Sequence, residues 1–241
     1  MNTIIESLMN RKSIRVFEKK EIAQQDKELI LTAATEAPTA GNQQLYTILD
    51  ITDQGLKEKL AETCDHQPFI ATAPLVLIFC ADAKKWVDAF VEADANPRKP
   101  GVGDLLLAVS DANIAAQNAV VAAQSLGIGS CYIGDIMENR EEHKRLLGIP
   151  DWVFPAAMLV FGYPTQQQLD RAKPQRVDLQ YIVHENTYQP FTGQQLREMF
   201  ENKLGSKTYE EWMHAFCERK YNSDFSKEMS HSVKEYLKEF F

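Results

Sequence analysis

Between Ala112 and Gly134 the chain carries no Asp, Glu, Lys or Arg. A stretch of that length and polarity raises the question of a membrane span. Asn113, Gln117, Asn118 and Gln124 argue against one, and so do Gly127 and Gly129, because four amides and a glycine break suit hydrocarbon poorly. The pattern predicts a long helix over about 104–126, followed by a strand from Ile128 to Ile133. Small residues recur along that helix (Ala112, Ala115, Ala116, Ala119, Ala122 and Ala123) and permit close helix packing. Its amides need partners wherever they are buried. The near absence of charge in its second half also suits a close symmetric interface between two copies, since a monomer would have to cover that surface in some other way.

Other elements surround this helix. Apolar spacing predicts a short helix over 3–10 and a second over 25–37, with Asp26 as a candidate cap and Pro38 as its stop. Strands are expected at Tyr46–Thr52, at Ala73–Ala81 (buried on both faces) and at Ala156–Phe161. Helices are expected at 54–64, Lys84–Glu92 and 138–147, with a mobile loop over Asn96–Gly103. Residues 166–175 are polar and irregular, and Tyr181–His184 reads as strand-like. From about 193 the chain is helical and charged, with Tyr209, Trp212, Phe216, Tyr236 and Phe240 interleaved. We expect one domain over 1–192 and a helical C-terminal extension over 193–241.

Composition narrows the function. The 241 residues are 44% hydrophobic and 25% charged, enough for a sizeable core. A net charge of -8 argues against nonspecific binding to nucleic acid or anionic membrane. Cys64, Cys80, Cys131 and Cys217 are scattered, and so are His66, His143, His184, His214 and His231, so no metal site is expected. The thiols fit a reducing cytosol, and Met1–Glu6 lacks the look of a secretory signal. The expectation is a cytoplasmic protein.

Two short polar motifs carry the chemistry. Arg11-Lys12-Ser13-Ile14-Arg15 comes first, and Ala37-Pro38-Thr39-Ala40-Gly41-Asn42-Gln43-Gln44 follows a helix-length later. Arginine presents forked donors that match phosphate oxygens. Ser13 and Thr39 donate through hydroxyls, and Asn42 and Gln44 both donate and accept. The set suits a phosphate and the polar edge of a planar ring. A dinucleotide-binding domain is not indicated: Gly127-Ile-Gly129-Ser-Cys-Tyr-Ile-Gly134 is not G-x-G-x-x-G at a strand-to-helix junction, and no Walker A or G-x-S-x-G pattern occurs. Each residue alone has a plainer reading, as surface charge, turn residue or helix terminator.

Taken in order, R-x-S-x-R, P-T-x-x-N-x-Q, G-x-G-x-x-Y-I-G and V-H-E-N-x-Y resemble the nitroreductase family, in particular its NADPH-dependent flavin reductase and oxygen-insensitive nitroreductase branch. The resemblance covers most of the chain. It implies an α+β three-layer sandwich with a mixed, mainly antiparallel sheet flanked by helices. It also implies a homodimer with FMN at the interface, and a C-terminal segment that reaches over the partner. By that resemblance Arg11, Ser13 and Arg15 would meet the FMN phosphate, ribityl chain and adjoining ring edge. Thr39 and Asn42 would belong to the second binding motif, with Gln67 reaching the flavin. Ile133-Gly134-Asp135 would pass the reactive N5 edge, where relatives often carry Y-I-G-G and this chain has Tyr132-Ile133-Gly134-Asp135. A later basic pair, usually K-x-R, would correspond to Lys173 and Arg176, with the lysine displaced by one residue.

The activity implied is hydride transfer on FMN from NADPH or NADH to a small planar acceptor, such as a nitroaromatic, a quinone or free flavin. No side-chain nucleophile or base is required, because the cofactor carries the chemistry. Lys203, Lys207, Arg219 and Lys220 are the cations available for a 2′-phosphate. Two alternatives stay open: a flavin-binding store or redox sensor without turnover, and a dehalogenase-like enzyme on the same fold.

Overall fold

The computed structural model describes residues 2–241. In chain order the first elements are α1 (Thr3–Asn10), α2 (Gln24–Thr35), β1 (Tyr46–Asp50), α3 (Gln54–Thr63), α4 (Pro68–Thr72), β2 (Leu75–Asp82) and α5 (Lys84–Glu92). They are followed by α6 (Val102–Ser125), β3 (Gly129–Ile133), α7 (Arg140–Leu147), β4 (Val153–Gly162) and α8 (Gln166–Asp170). The last are α9 (Gly193–Phe200), α10 (Tyr209–Lys220) and α11 (Asp224–Leu237). Most fall within a few residues of the sequence expectation. Four points differ. Residues 166–170, expected to be irregular, form the short helix α8. Asp26 does not cap α2, whose N-cap is Ala23. Tyr181–His184 is not a strand, since a 3-10 turn over Leu179–Tyr181 precedes irregular chain. The short helix α4, started by Pro68, had no apolar period long enough to read.

The strands form one sheet in the order β1-β2-β4-β3, with every ladder antiparallel. The parallel component is an isolated bridge, Ser13 to Ser130. Period-two alternation in β2 builds the layers. Leu75, Leu77, Phe79 and Ala81 join a core with α2 and α6, while Val76, Ile78 and Cys80 join a second core with α3, α4 and Ile136. The sheet therefore lies between two helical layers.

Helix α6 is long and apolar enough to cross a bilayer by length and composition, yet its alanine face is buried in the first core. Each of its amides has a partner. Asn118 donates to the Ala33 carbonyl at 3.1 Å and Gln124 to the Ser7 carbonyl at 3.1 Å. Gln117 accepts from the Tyr132 hydroxyl at 3.3 Å, and Asn113 bonds within the helix.

The described chain divides into two compact units. One is 1–171 with 228–241, and the other is 172–227. The boundary expected at 192/193 is not where these units part, and most of α11 returns to the first. Tyr236 is the reason: it is 1% exposed, packs edge-on against Phe154 at 5.0 Å, and lies under the Arg140 guanidinium. Glu239 then bonds Lys144 at 2.6 Å and the Trp152 backbone N–H at 3.1 Å.

Candidate functional site

The Arg11–Arg15 segment runs beside the edge strand β3. The Ile14 N–H donates to the Ser130 carbonyl at 3.0 Å, next to the Ser13–Ser130 bridge. Gly129 permits this approach, because a Cβ there would lie 2.5 Å from the Ile14 side chain. Further contacts tie the segment to the end of β4 and to α8. Glu18 donates to the Tyr163 carbonyl at 2.8 Å, the Arg15 N–H to Gln168 at 3.3 Å, and Arg171 to the Ser13 carbonyl. Lys12 is spent on the carbonyls of Leu169 and Arg171.

The backbone and Lys12 are thus committed, and two donors of Arg11 are not. The Nε and Nη2 of Arg11 are buried without a hydrogen-bond partner, with the guanidinium 5.8 Å from the centre of the Tyr132 ring. Three motif residues also converge on one buried thiol. Burial pushes the Cys131 thiol up, while Arg15, Ser13 and Arg11 pull it the other way. Arg11, Ser13 and Arg15 therefore share one locale at the start of β3.

The second motif lies elsewhere. Its loop leads into β1, at the opposite edge of the sheet. Thr39 donates to the Asp111 carboxylate and accepts from the Gln44 N–H at 2.8 Å. Asp111 also accepts the N–H of Ala40 and of Leu45, each at 3.1 Å, and is 3% exposed. Trp86 donates to the Gln43 carbonyl at 2.8 Å. Held this way, the loop carries Gly41, Asn42 and Gln44 in the left-handed region and leaves Asn42 exposed. Asp111 organises the loop, and sequence reasoning missed it: a single carboxylate midway along α6, just before its uncharged stretch, gives no motif. An open groove of about 430 Å³ adjoins this loop, lined by Gln43, Leu45, Val87, Phe90 and Pro97.

A third group joins two residues far apart in sequence. Asp65 and His66, both with positive φ, turn the chain so that the Gln67 amide donates to the Cys64 carbonyl at 2.8 Å and to Asp135 at 3.0 Å. Ile133 is buried and offers only its backbone, Gly134 is exposed, and Asp135 is half-buried. Glu138, 4% exposed, donates its backbone N–H to the Asp135 carbonyl at 3.0 Å and has a buried Oε1 without a partner. Its carboxyl is pushed up to about 7, first by burial and then by Asp135, Asp65 and Glu228.

Lys173 and Arg176 belong to the second unit, where Arg176 is exposed. There the V-H-E-N-x-Y motif is a small aromatic cluster. His184 accepts the Gln189 N–H at 2.9 Å and packs against Tyr188 and Phe191. Its role is structural. Lys203 lies over Phe200 and Arg219 over Phe216, flanking a stack of Phe200, Trp212 and Phe216.

A sheet of this order between two helical layers, with unpaired arginine donors beside its edge strand, defines a class that comparison identifies. Residues 8–163 match the model of the nitroreductase family, and the chain belongs to that family. It is 30% identical over its whole length to FMN reductase [NAD(P)H] of Bacillus subtilis, covering 93% of that protein. It is 35% identical over 79% of its length to the oxygen-insensitive NADPH nitroreductase of Salmonella typhimurium, covering 76% of it. The solved structure of Bacillus megaterium NfrA2 superposes with a TM-score of 0.83 at 28% identity, over 98% of both chains.

Proposed function

We propose that this protein is an FMN-dependent oxidoreductase that uses NAD(P)H, with NADPH preferred, to reduce nitroaromatics, quinones or free flavin. The observation that carries the reading is the pair of buried, partnerless Arg11 donors beside Ser13 and Arg15. An orphaned guanidinium in a half-buried position calls for an anion, and a phosphate group meets that need with charge-assisted bonds. The residues present therefore fit FMN. Arg11, Ser13 and Arg15 would hold its phosphate end and ring edge; Lys173 and Arg176 are the further basic pair by family resemblance alone. Gly134 offers an exposed backbone edge, and Gln67 keeps its amide carbonyl oxygen for the ring. When bound, FMN supplies acceptance and donation of two electrons at its N5 edge. Fixed cations beside it favour the negative charge that accompanies reduction.

The homodimer is part of the reading. Ser130 pairs with Phe161 and Phe161 with Leu75, whereas Tyr46 pairs with Ala81 at the far end of β2. The two polar motifs thus sit diagonally across the sheet, about 14 Å apart laterally and about 20 Å lengthwise at ordinary strand spacings. Along α6, the anchors Asp111 and Gln124 are likewise about 20 Å apart. Asn42 then serves a flavin held by the other copy's Arg11 segment. Leu106, Leu107 and Ile114, exposed on α6, supply an apolar face for that pairing. We place the enzyme in the cytoplasm, with no nucleic-acid or membrane partner.

Anaerobic titration with NADPH, followed in the visible spectrum, tests the reading. A yellow protein that bleaches and recovers with added quinone or nitroaromatic supports it. One that holds flavin without turnover favours the store or sensor, a profile selective for halogenated acceptors favours the dehalogenase-like enzyme, and failure to take up FMN refutes all three. Arg176→Ala, removing a charged contact, should weaken FMN retention roughly tenfold or more.

A further inference from the structure

The segment Tyr132-Ile133-Gly134-Asp135 ends in a carboxylate that is not isolated. Asp135 takes the Gln67 amide at 3.0 Å, and its carboxylate is one of the acidic groups that raise the buried Glu138 carboxyl. Two neighbouring carboxylates repel when both are ionised, so the pair favours a protonated member. The 3-10 turn over Gly134–Met137 brings the pair together, and the Glu138 N–H donates to the Asp135 carbonyl at 3.0 Å. Glu138 itself is almost fully buried, with its Oε1 unpartnered.

The groups acting on Glu138 come from every side and are acidic: Asp135 on its own turn, Asp65 from the turn before α4, and Glu228 from α11. Glu228 is itself held by the Asn139 N–H at 3.1 Å and the Ser232 hydroxyl at 2.7 Å. His143 of α7, the next ring in this layer, is kept neutral by burial and bonds the Ile136 carbonyl and Thr63. Nothing in this set neutralises an ionised Glu138, which therefore keeps its proton into the neutral range.

We propose that Glu138 stores a proton and, through Asp135, delivers it to the oxyanion of an acceptor reduced beside Gly134. The inference rests on the reading that Gly134-Asp135 borders the flavin's reactive edge. It makes Asp135 the residue that touches the acceptor and Glu138 a positioning residue behind it. The balance is complete. A quinone takes up two electrons and two protons. NAD(P)H supplies the electrons and one proton and leaves as NAD(P)+. The second proton leaves Glu138, crosses Asp135 to the quinone oxygen, and a proton from solvent restores Glu138.

Two readouts test this on the full-length holoprotein. Carboxyl 13C NMR of glutamate-labelled protein should show one glutamate titrating near pH 7, absent in Glu138→Gln. With 1,4-benzoquinone, wild-type kcat should fall above pH 7 by close to tenfold per unit. In Glu138→Gln it should be at least tenfold lower at pH 6 and flat to pH 8.5, with KM changed less than twofold. Asp135→Asn should show the same loss of kcat while Glu138 is intact. The inference is overturned by a glutamate titration only in the ordinary range, or by a wild-type pH profile in Glu138→Gln. If FMN is retained and bleaches while that profile is unchanged, only this inference falls. If FMN is not taken up, the functional reading falls with it.

Discussion

The two polar motifs at opposite edges of the sheet are built on opposite plans. In the Thr39–Leu45 loop the polar groups are consumed within the fold: Asp111 takes the Thr39 hydroxyl and two N–H groups. In the Arg11–Arg15 segment the backbone is consumed and the guanidinium donors of Arg11 are left over. Buried polar groups are nearly always paired, so a paired set reads as scaffold and an unpaired set as a place for a ligand. Sequence resemblance alone puts Thr39 and Arg11 in the same role, and their hydrogen bonds separate them.

The sharpest way to break this contrast is Asp111→Ala. It strands three donors at once in a buried setting, and we expect a loss of about 3–5 kcal/mol in urea-induced unfolding. A loss below about 1 kcal/mol would mean the loop does not depend on that carboxylate. Arg11→Ala should do the reverse. FMN affinity measured by fluorescence should fall by about 1.5–3 kcal/mol, as for a lost bond to a charged group. Unfolding of the apoprotein should hardly change, since no partner is abandoned. If Arg11→Ala instead costs mainly stability, the contrast collapses.

The acidic turn adds a pH test. Glu138 is protonated more readily in the folded state, up to about 7, than at its ordinary value near 4.5. Between those values the folded state binds more protons, so its stabilising contribution is full below about pH 4.5 and is lost as pH rises through 7. Wild type should therefore weaken relative to Glu138→Gln between pH 5 and pH 8, read from urea midpoints. A constant difference across that range would show that Glu138 does not titrate there.

The smallest effect is expected at Asn42, with φ of 56°. Asn42→Gly should leave stability within about 0.5 kcal/mol, whereas Asn42→Ala should cost about 1 kcal/mol. If Asn42→Gly nonetheless lowers FMN retention, the side chain itself meets the flavin.

Legibility followed the range of the interactions. Helices and strands with a strong apolar period were readable because period and face are local properties: β2, buried along its whole length, and α6, with its alanine face. The R-x-S-x-R residues were readable as a group because they lie within one short segment. Asp111 was not, because its partners lie 66 to 72 positions away in sequence. The Gln67–Asp135–Glu138 group was half-readable: the first two were candidates by resemblance, but their bond and the buried third member were not visible. The return of α11 to the first unit was hidden too, since Tyr236 looks like any aromatic in an amphipathic helix until Phe154 and Arg140 meet it.

By itself, then, the sequence determined the kinds of element, the alternating core of the sheet and the presence of a short segment rich in forked donors. These depend on side-chain period and on chemistry packed into a few consecutive positions. Only the tertiary structure decided which polar groups are spent and which remain available. That is settled by hydrogen bonds between distant segments, which have no period and leave no mark on the local pattern. It is why Thr39 proved to be tied down, two Arg11 donors unpaired, and Glu138 buried on the turn it shares with Asp135.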